Sequence, residues 1–184
     1  FNDTLIGDDN DNNLAGGGGA DILNGGGGWD NASYWDATAG VRVDLGNPAS
    51  NAGEAAGDTF ASIEGIIGSG FNDTLIGDGN TNALQGRGGA DILNGGGGWD
   101  DANYWDATTG VTVDLGNPAN NTGEAAGDTF SSIEGIIGGG FNDTLTGDGN
   151  GNAIQGRGGA DILNGGGGWD HASYWNATSG VTVD

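Results

Sequence analysis

Aspartate and asparagine recur along this chain at nine-residue intervals, each after a run of glycines. Read from Gly68, four consecutive segments are GSGFNDTLI, GDGNTNALQ, GRGGADILN and GGGGWDDAN. Glycine opens every segment. The sixth place holds Asp73, Asn82, Asp91 or Asp100, and the eighth holds Leu75, Leu84, Leu93 or Ala102. Each segment thus sets one side-chain oxygen beside a loop whose glycines can take positive φ and aim carbonyls inward. Such oxygen-rich surroundings suit a hard cation. Nucleophilic and acid–base chemistry finds no comparable set. No Ser, His and acid constellation recurs, and no carboxylate pair stands out among so many acids. His171 takes the place that Asp101 and Asn31 hold in the other copies, which argues against a catalytic role for it. The chain is expected not to be an enzyme.

The elements that position these oxygens must be short. So many glycines, with no apolar stripe at 3.6-residue spacing, leave any helix unstable. The apolar eighth position instead suits a strand of a few residues with one inward side chain. The chain has 184 residues, of which 44 are Gly and only 2 Pro, and its 26 acids against 3 bases give a formal charge of −23. Composition alone would describe a disordered chain, because too little apolar surface offsets the ordering entropy. The fixed period of the glycines argues for order. This charge makes nucleic acid an implausible partner. Nothing approaches a membrane-spanning apolar run, and no secretory signal is visible at Phe1. The absence of Cys rules out a disulfide framework and thiol catalysis.

A longer repeat contains the nine-residue one. Phe-Asn-Asp-Thr-Leu begins at Phe1, Phe71 and Phe141, so the period is 70 residues and the copies are nearly identical. The expected organisation is one continuous solenoid of unit 1 (1–70), unit 2 (71–140) and a partial unit 3 (141–184), a segment of a longer array. The stretch 104–138 has its own pattern. VTVDL alternates like a half-buried strand, GEAAGDTFS at 123–131 reads as a worn nine-residue segment with Asp128 sixth, and SIEGII supplies another strand.

The segments GGGGADILN at 16–24 and GRGGADILN at 86–94 and 156–164 resemble the RTX (hemolysin-type) calcium-binding nonapeptide, G-G-x-G-x-D-x-L-x. GDDNDNNLA at 7–15 and the GDGN segments at 77 and 147 depart from it, with Asn12, Asn82 and Asn152 where the motif has Asp. The resemblance implies an all-β fold, a right-handed parallel β-roll solenoid in which two nonapeptides make one coil. It implies several Ca²⁺ ions, each lying between one loop and the next on the same edge and shared by two sixth-position residues such as Asp73 and Asp91. The metal ligands implied are Asp3, Asn12, Asp21, Asp30, Asp58, Asp73, Asn82, Asp91, Asp100, Asp128, Asp143, Asn152, Asp161 and Asp170.

Counting turns gives three coils per unit, an advance of about 14 Å. The loops at 68 and 86 fall on one edge, A, and those at 77 and 95 on the other, B. The count returns the turn at 104–110 to A and the long turn ending at Asp128 to B. Edge B is therefore expected to carry an unbroken column through Asn12, Asp30, Asp58, Asn82, Asp100, Asp128, Asn152 and Asp170. Edge A is expected to be interrupted at 34–40 and 104–110, with about six to ten ions in all. Asp44, Asp114, Glu64 and Glu134 are expected to be solvated. Trp29, Trp99 and Trp169 sit at the fifth loop place, while Trp35, Trp105 and Trp175 follow an inward Tyr and should point outward. They either cover the thin core or form rows that bind a glycan, a cell surface or, laterally, a neighbouring chain, while end-to-end association is expected to cover the roll's open strand edges. Family resemblance further implies type I secretion and folding outside the cell. The functions weighed are a structural segment of a large extracellular bacterial protein (stalk, adhesin, surface layer or filament) and the secretion and folding module of an exported protease, lipase or epimerase.

Overall fold

The computed structural model describes residues 1–174. The chain winds back and forth between two faces in very short strands. One face is a single eight-stranded sheet. Its strands in chain order are β2 (Asn13–Leu14), β4 (Asn31–Ser33), β7 (Gly65–Ile67), β9 (Ala83–Gln85), β11 (Asp101–Asn103), β14 (Gly135–Ile137), β16 (Ala153–Gln155) and β18 (His171–Ser173). The opposite face carries β1 (Thr4–Ile6), β3 (Ile22–Asn24), β5 (Arg42–Asp44), β6 (Thr59–Ala61), β8 (Thr74–Ile76), β10 (Ile92–Asn94), β12 (Thr112–Asp114), β13 (Thr129–Ser131), β15 (Thr144–Thr146) and β17 (Ile162–Asn164). These form three separate sheets in the orders β1-β3-β6, β5-β8-β10-β13 and β12-β15-β17.

All of these strand pairs are parallel, with Thr74 opposite Ile92 and Ala83 opposite Asp101, so one coil is two nine-residue segments. The fold is an all-strand parallel β-roll, and no α-helix occurs among the described residues. Alternation puts the middle residue of each strand inside. Leu84, Ala102 and Ile136 from one face meet Leu75, Leu93 and Val113 from the other, all fully buried. Ile92, one place from Leu93, is half exposed. The core is one residue thick per strand, which is why so few large apolar residues suffice.

The long stretch between β12 and β13 departs from the turn count. Both strands lie on the same face, so 115–128 leaves that face and returns to it. Residues 132–134 then cross to the eight-stranded sheet. Asp58 and Asp128 therefore stand on edge A, above Asp21 and Asp91, and not on edge B. An antiparallel bridge causes the return. Thr112 pairs with Thr122, and Arg42 with Ala52, folding the chain back beside its own strand after 3₁₀ turns at Pro48–Ser50 and Pro118–Asn120. The buried Asn121 amide stitches the gap between sheets: its oxygen accepts from Asp114 N at 2.8 Å and its nitrogen donates to Asp128 O at 3.1 Å. Asn51 repeats this between Asp44 and Asp58. Asp44 is buried, not solvated, because it anchors the same turn, accepting from Asn47 N and Ser50 Oγ.

Candidate metal centre

The Asx residues stack along the two edges as ladders. On edge A, Asp3 N donates to Asp21 Oδ1 and Asp21 N to Asp58 Oδ1. Asp73 N then donates to Asp91 Oδ1, Asp91 N to Asp128 Oδ1, and Asp143 N to Asp161 Oδ1, at 2.8–3.0 Å. The ladder restarts at Val41 and Val111, whose N–H groups donate to Asp73 and Asp143. These two valines end the 34–40 and 104–110 turns, so edge A is interrupted at the expected places. On edge B, Asn12 N donates to Asp30 Oδ1, Asn82 N to Asp100 Oδ1 and Asn152 N to Asp170 Oδ1. The places assigned to Asp58 and Asp128 belong instead to Glu64 and Glu134, which accept from Asp30 N and Asp100 N. Both glutamates keep the nine-residue register, nine places before Asp73 and Asp143, but their segments open on Thr59 and Thr129 instead of glycine.

One oxygen of each carboxylate after Asp3 is thus committed to the ladder. The fate of the second divides the loops. In GSGFND and GGGFND the second residue turns its N–H onto the sixth: Ser69 N donates to Asp73 Oδ2 at 2.6 Å and Gly139 N to Asp143 Oδ2 at 2.7 Å. In the GDGN loops Asp78 N and Asp148 N cap Asn82 and Asn152 in the same way. Asp58 Oδ2 and Asp128 Oδ2 accept Tyr34 and Tyr104 hydroxyls at 2.8 Å. In GGGGAD, GRGGAD and GGGGWD the second residue has positive φ, 69° at Arg87 and 94° at Gly96, and its N–H is not used in this way. Asp21, Asp30, Asp91 and Asp100 are fully or almost fully buried there, and Oδ2 of each has no hydrogen-bond partner.

A buried carboxylate oxygen without a donor is costly unless it meets a proton or a cation. Burial, reinforced by the charges of Asp128 and Asp73, lifts Asp91 to about 8 against the opposing Asp73 amide. Burial likewise raises Asp128 to about 6, and Asp58, Asp73, Asp100 and Asp143 are also raised. Each orphaned Oδ2 faces the first glycine of its own loop, at the place a Cβ on Gly16, Gly25, Gly86 or Gly95 would fill. Among the described residues no three Asp, Glu, His or Cys side chains converge as a metal cluster. A cation on these edges would be held by one or two carboxylates and by backbone carbonyls, the all-oxygen chemistry of calcium.

The model for the RTX calcium-binding nonapeptide repeat matches residues 1–31, 67–102 and 137–171, a little more than half of the chain. The chain belongs to the RTX calcium-binding nonapeptide repeat family. Its function at this level is calcium binding in a structural β-roll, and RTX repeats of this type are typical of type I secreted extracellular proteins. No curated protein matches the chain. In this RTX roll, Asp21, Asp30, Asp91 and Asp100 have free Oδ2 atoms that fit the ion, while Oδ2 of Asp73 and Asp143 and Oδ1 of Asn82 and Asn152 already have a donor. Calcium bound there would supply the positive charge that the buried carboxylates lack. No helix among the described residues is long and apolar enough to cross a membrane.

Proposed function

We propose that this chain is a structural segment of a large secreted bacterial protein, a calcium-stiffened rod that folds outside the cell. Units 1–70, 71–140 and 141–184 act as successive lengths of one solenoid, and the Asx residues of its two edges line the ion sites, with Asp21, Asp30, Asp91 and Asp100 offering the free carboxylate oxygens. The observation that carries this reading is the set of four buried, partnerless carboxylate oxygens, recurring at equivalent places in near-identical units. Above the range in which these carboxyls are protonated, a chain of −23 charge closes over them only with cations, so binding and folding are then one event. Low cytosolic calcium would keep it unfolded for export, and extracellular calcium would fold it. The near-identity of units favours length itself as the function over service to an attached catalytic domain. Exposed Trp29, Trp35, Trp99 and Trp105 support contacts with a glycan or a neighbouring rod.

Far-ultraviolet circular dichroism tests this directly. In chelator at pH 8 the spectrum is expected to be that of an unstructured chain, and millimolar Ca²⁺ should produce a strand spectrum. A strand spectrum that persists in chelator at pH 8 would defeat the proposal.

A further inference from the structure

The turns Ser62-Ile63-Glu64 and Ser132-Ile133-Glu134 carry the chain from one face to the other along edge B. Both lie outside the residues matched by the family model, and neither contains a nonapeptide loop. Four observations set them apart from an ordinary reversal. Ser62 and Ser132 adopt φ of 49° and 50°, a left-handed conformation that a non-glycine residue holds only at a cost. The Ser62 carbonyl oxygen and Asp30 Oδ2 crowd the same point, where a Cβ on Gly25 would sit; Ser132 O and Asp100 Oδ2 do the same at Gly95. Asp30 and Asp100 are completely buried, and those Oδ2 atoms have no donor. Finally, Glu64 Oε2 accepts from Asp30 N at 2.9 Å and Glu134 Oε2 from Asp100 N at 3.0 Å. Glu64 N and Glu134 N in turn donate to Asp30 O and Asp100 O, fixing each turn against its aspartate.

A carbonyl oxygen and a buried carboxylate oxygen facing one another, with no N–H or O–H between, are two acceptors in need of a cation. A glutamate anchored beside them adds a second negative charge and a further oxygen, Oε1. We infer that Asp30, Ser62 and Glu64, and again Asp100, Ser132 and Glu134, each form a calcium site in which a three-residue turn replaces the second nonapeptide loop. The inference rests on the calcium-binding β-roll and extends the ion column of edge B across both gaps in the family motif. The left-handed serine is the device that aims the carbonyl, as glycine does in the regular loops.

Trp29 and Trp99 directly precede Asp30 and Asp100, so Tb³⁺ bound at these sites should show tryptophan-sensitised luminescence. The test uses the full 184-residue chain and the double variant Glu64→Gln/Glu134→Gln, which keeps an acceptor for the Asp30 and Asp100 amides but removes the charge. Equilibrium dialysis with Ca²⁺ is expected to show about two fewer ions per chain, with weaker sensitised Tb³⁺ emission. Glu54→Gln/Glu124→Gln, which makes the same charge change outside the site, should leave both readings unchanged. Equal stoichiometry and emission in the Glu64/Glu134 variant and the parent would overturn the turn sites while leaving the regular loops standing. A parent chain that binds no Ca²⁺ would overturn the β-roll reading as well. Should the double variant not fold, Glu134→Gln alone, which leaves the first site intact, is expected to lose about one ion, and no loss would overturn the inference.

Discussion

At the scale of the residue, what matters is which oxygens already have donors. Asp91 shares its sequence place with Asp73, yet only Asp91 is left with a free Oδ2, because Arg87 is left-handed where Ser69 is not. The carboxyl of Asp91 is lifted to about 8 and that of Asp128 to about 6, chiefly by burial. In the unfolded chain both titrate near the ordinary aspartate value, about 3.9. The folded state therefore binds more protons than the unfolded state between about pH 4 and 8, and folding without calcium weakens as pH rises through that window. In chelator, the strand signal should be stronger at pH 5 than at pH 8. With calcium the order reverses, since protons compete for the same oxygens and the Ca²⁺ midpoint should rise as pH falls. Asp91→Asn should flatten both dependences, and paired titrations followed by circular dichroism would show it. A chelated chain equally unfolded at both pH values would contradict the argument.

At the scale of the element, three-residue strands leave one inward side chain to do all the packing. Leu93 is fully buried and Ile92, beside it, is half exposed. Leu93→Ala should cost about 2–5 kcal/mol, whereas Ile92→Thr should stay within about 0.5 kcal/mol, measured by chemical denaturation at saturating calcium. Comparable losses at both places would mean that the register is wrong. The period made these strands legible in the sequence, because Gly, Asx and Leu at fixed offsets state both the loop and the inward face. The return between β12 and β13 was not legible. GEAAGDTFS contains a segment-like Asp128 and Phe130, and Phe130 does lie in β13, which begins directly after Asp128, but the offsets within a segment do not say which edge it joins. That is settled by the Thr112–Thr122 bridge and by the Asn121 amide, contacts with no periodic signal. Glu64 and Glu134 keep the nine-residue register, nine places before Asp73 and Asp143. They were illegible because their segments, TFASIEGII and TFSSIEGII, open on Thr instead of glycine and put Glu where the other segments have Asp or Asn.

At the scale of the whole molecule, the units are joined outside the core as well as through the sheet. Arg87 of the second unit lies over Trp35 of the first, 5.9 Å from its ring centre, and pairs with Asp106 at 3.2 Å. Gln85 donates to Asp106 and accepts from Trp105 Nε1 at 3.1 Å, and Arg157 of the third unit lies over Trp105 at 6.0 Å. The exposed faces of Trp35 and Trp105 flank a groove of about 280 Å³ lined by Gln85, Arg87 and Asp106. Trp175, the next member of this row, lies outside the described residues. The seam uses two of the three arginines in the chain, and Arg87 and Arg157 hold φ of 69° and 66°; unit 1 has Gly17 at this place, also at 69°. Left-handed backbone costs a non-glycine residue about 1 kcal/mol. The cation–π contact returns about 0.5–1 kcal/mol, and the partly exposed ion pair adds at most about 1 kcal/mol. These terms nearly cancel, which yields an ordered prediction. Arg87→Ala keeps the strain and loses the seam, so it should be about 0.5–2 kcal/mol less stable than the parent. Arg87→Gly loses both and should come out close to the parent, about 1 kcal/mol above the alanine variant. Denaturation of all three at saturating calcium, followed by tryptophan fluorescence, would establish the order. If Arg87→Gly proved clearly more stable than the parent, the seam would contribute less than the strain it requires, and the arginine row would have to be explained by what binds the groove.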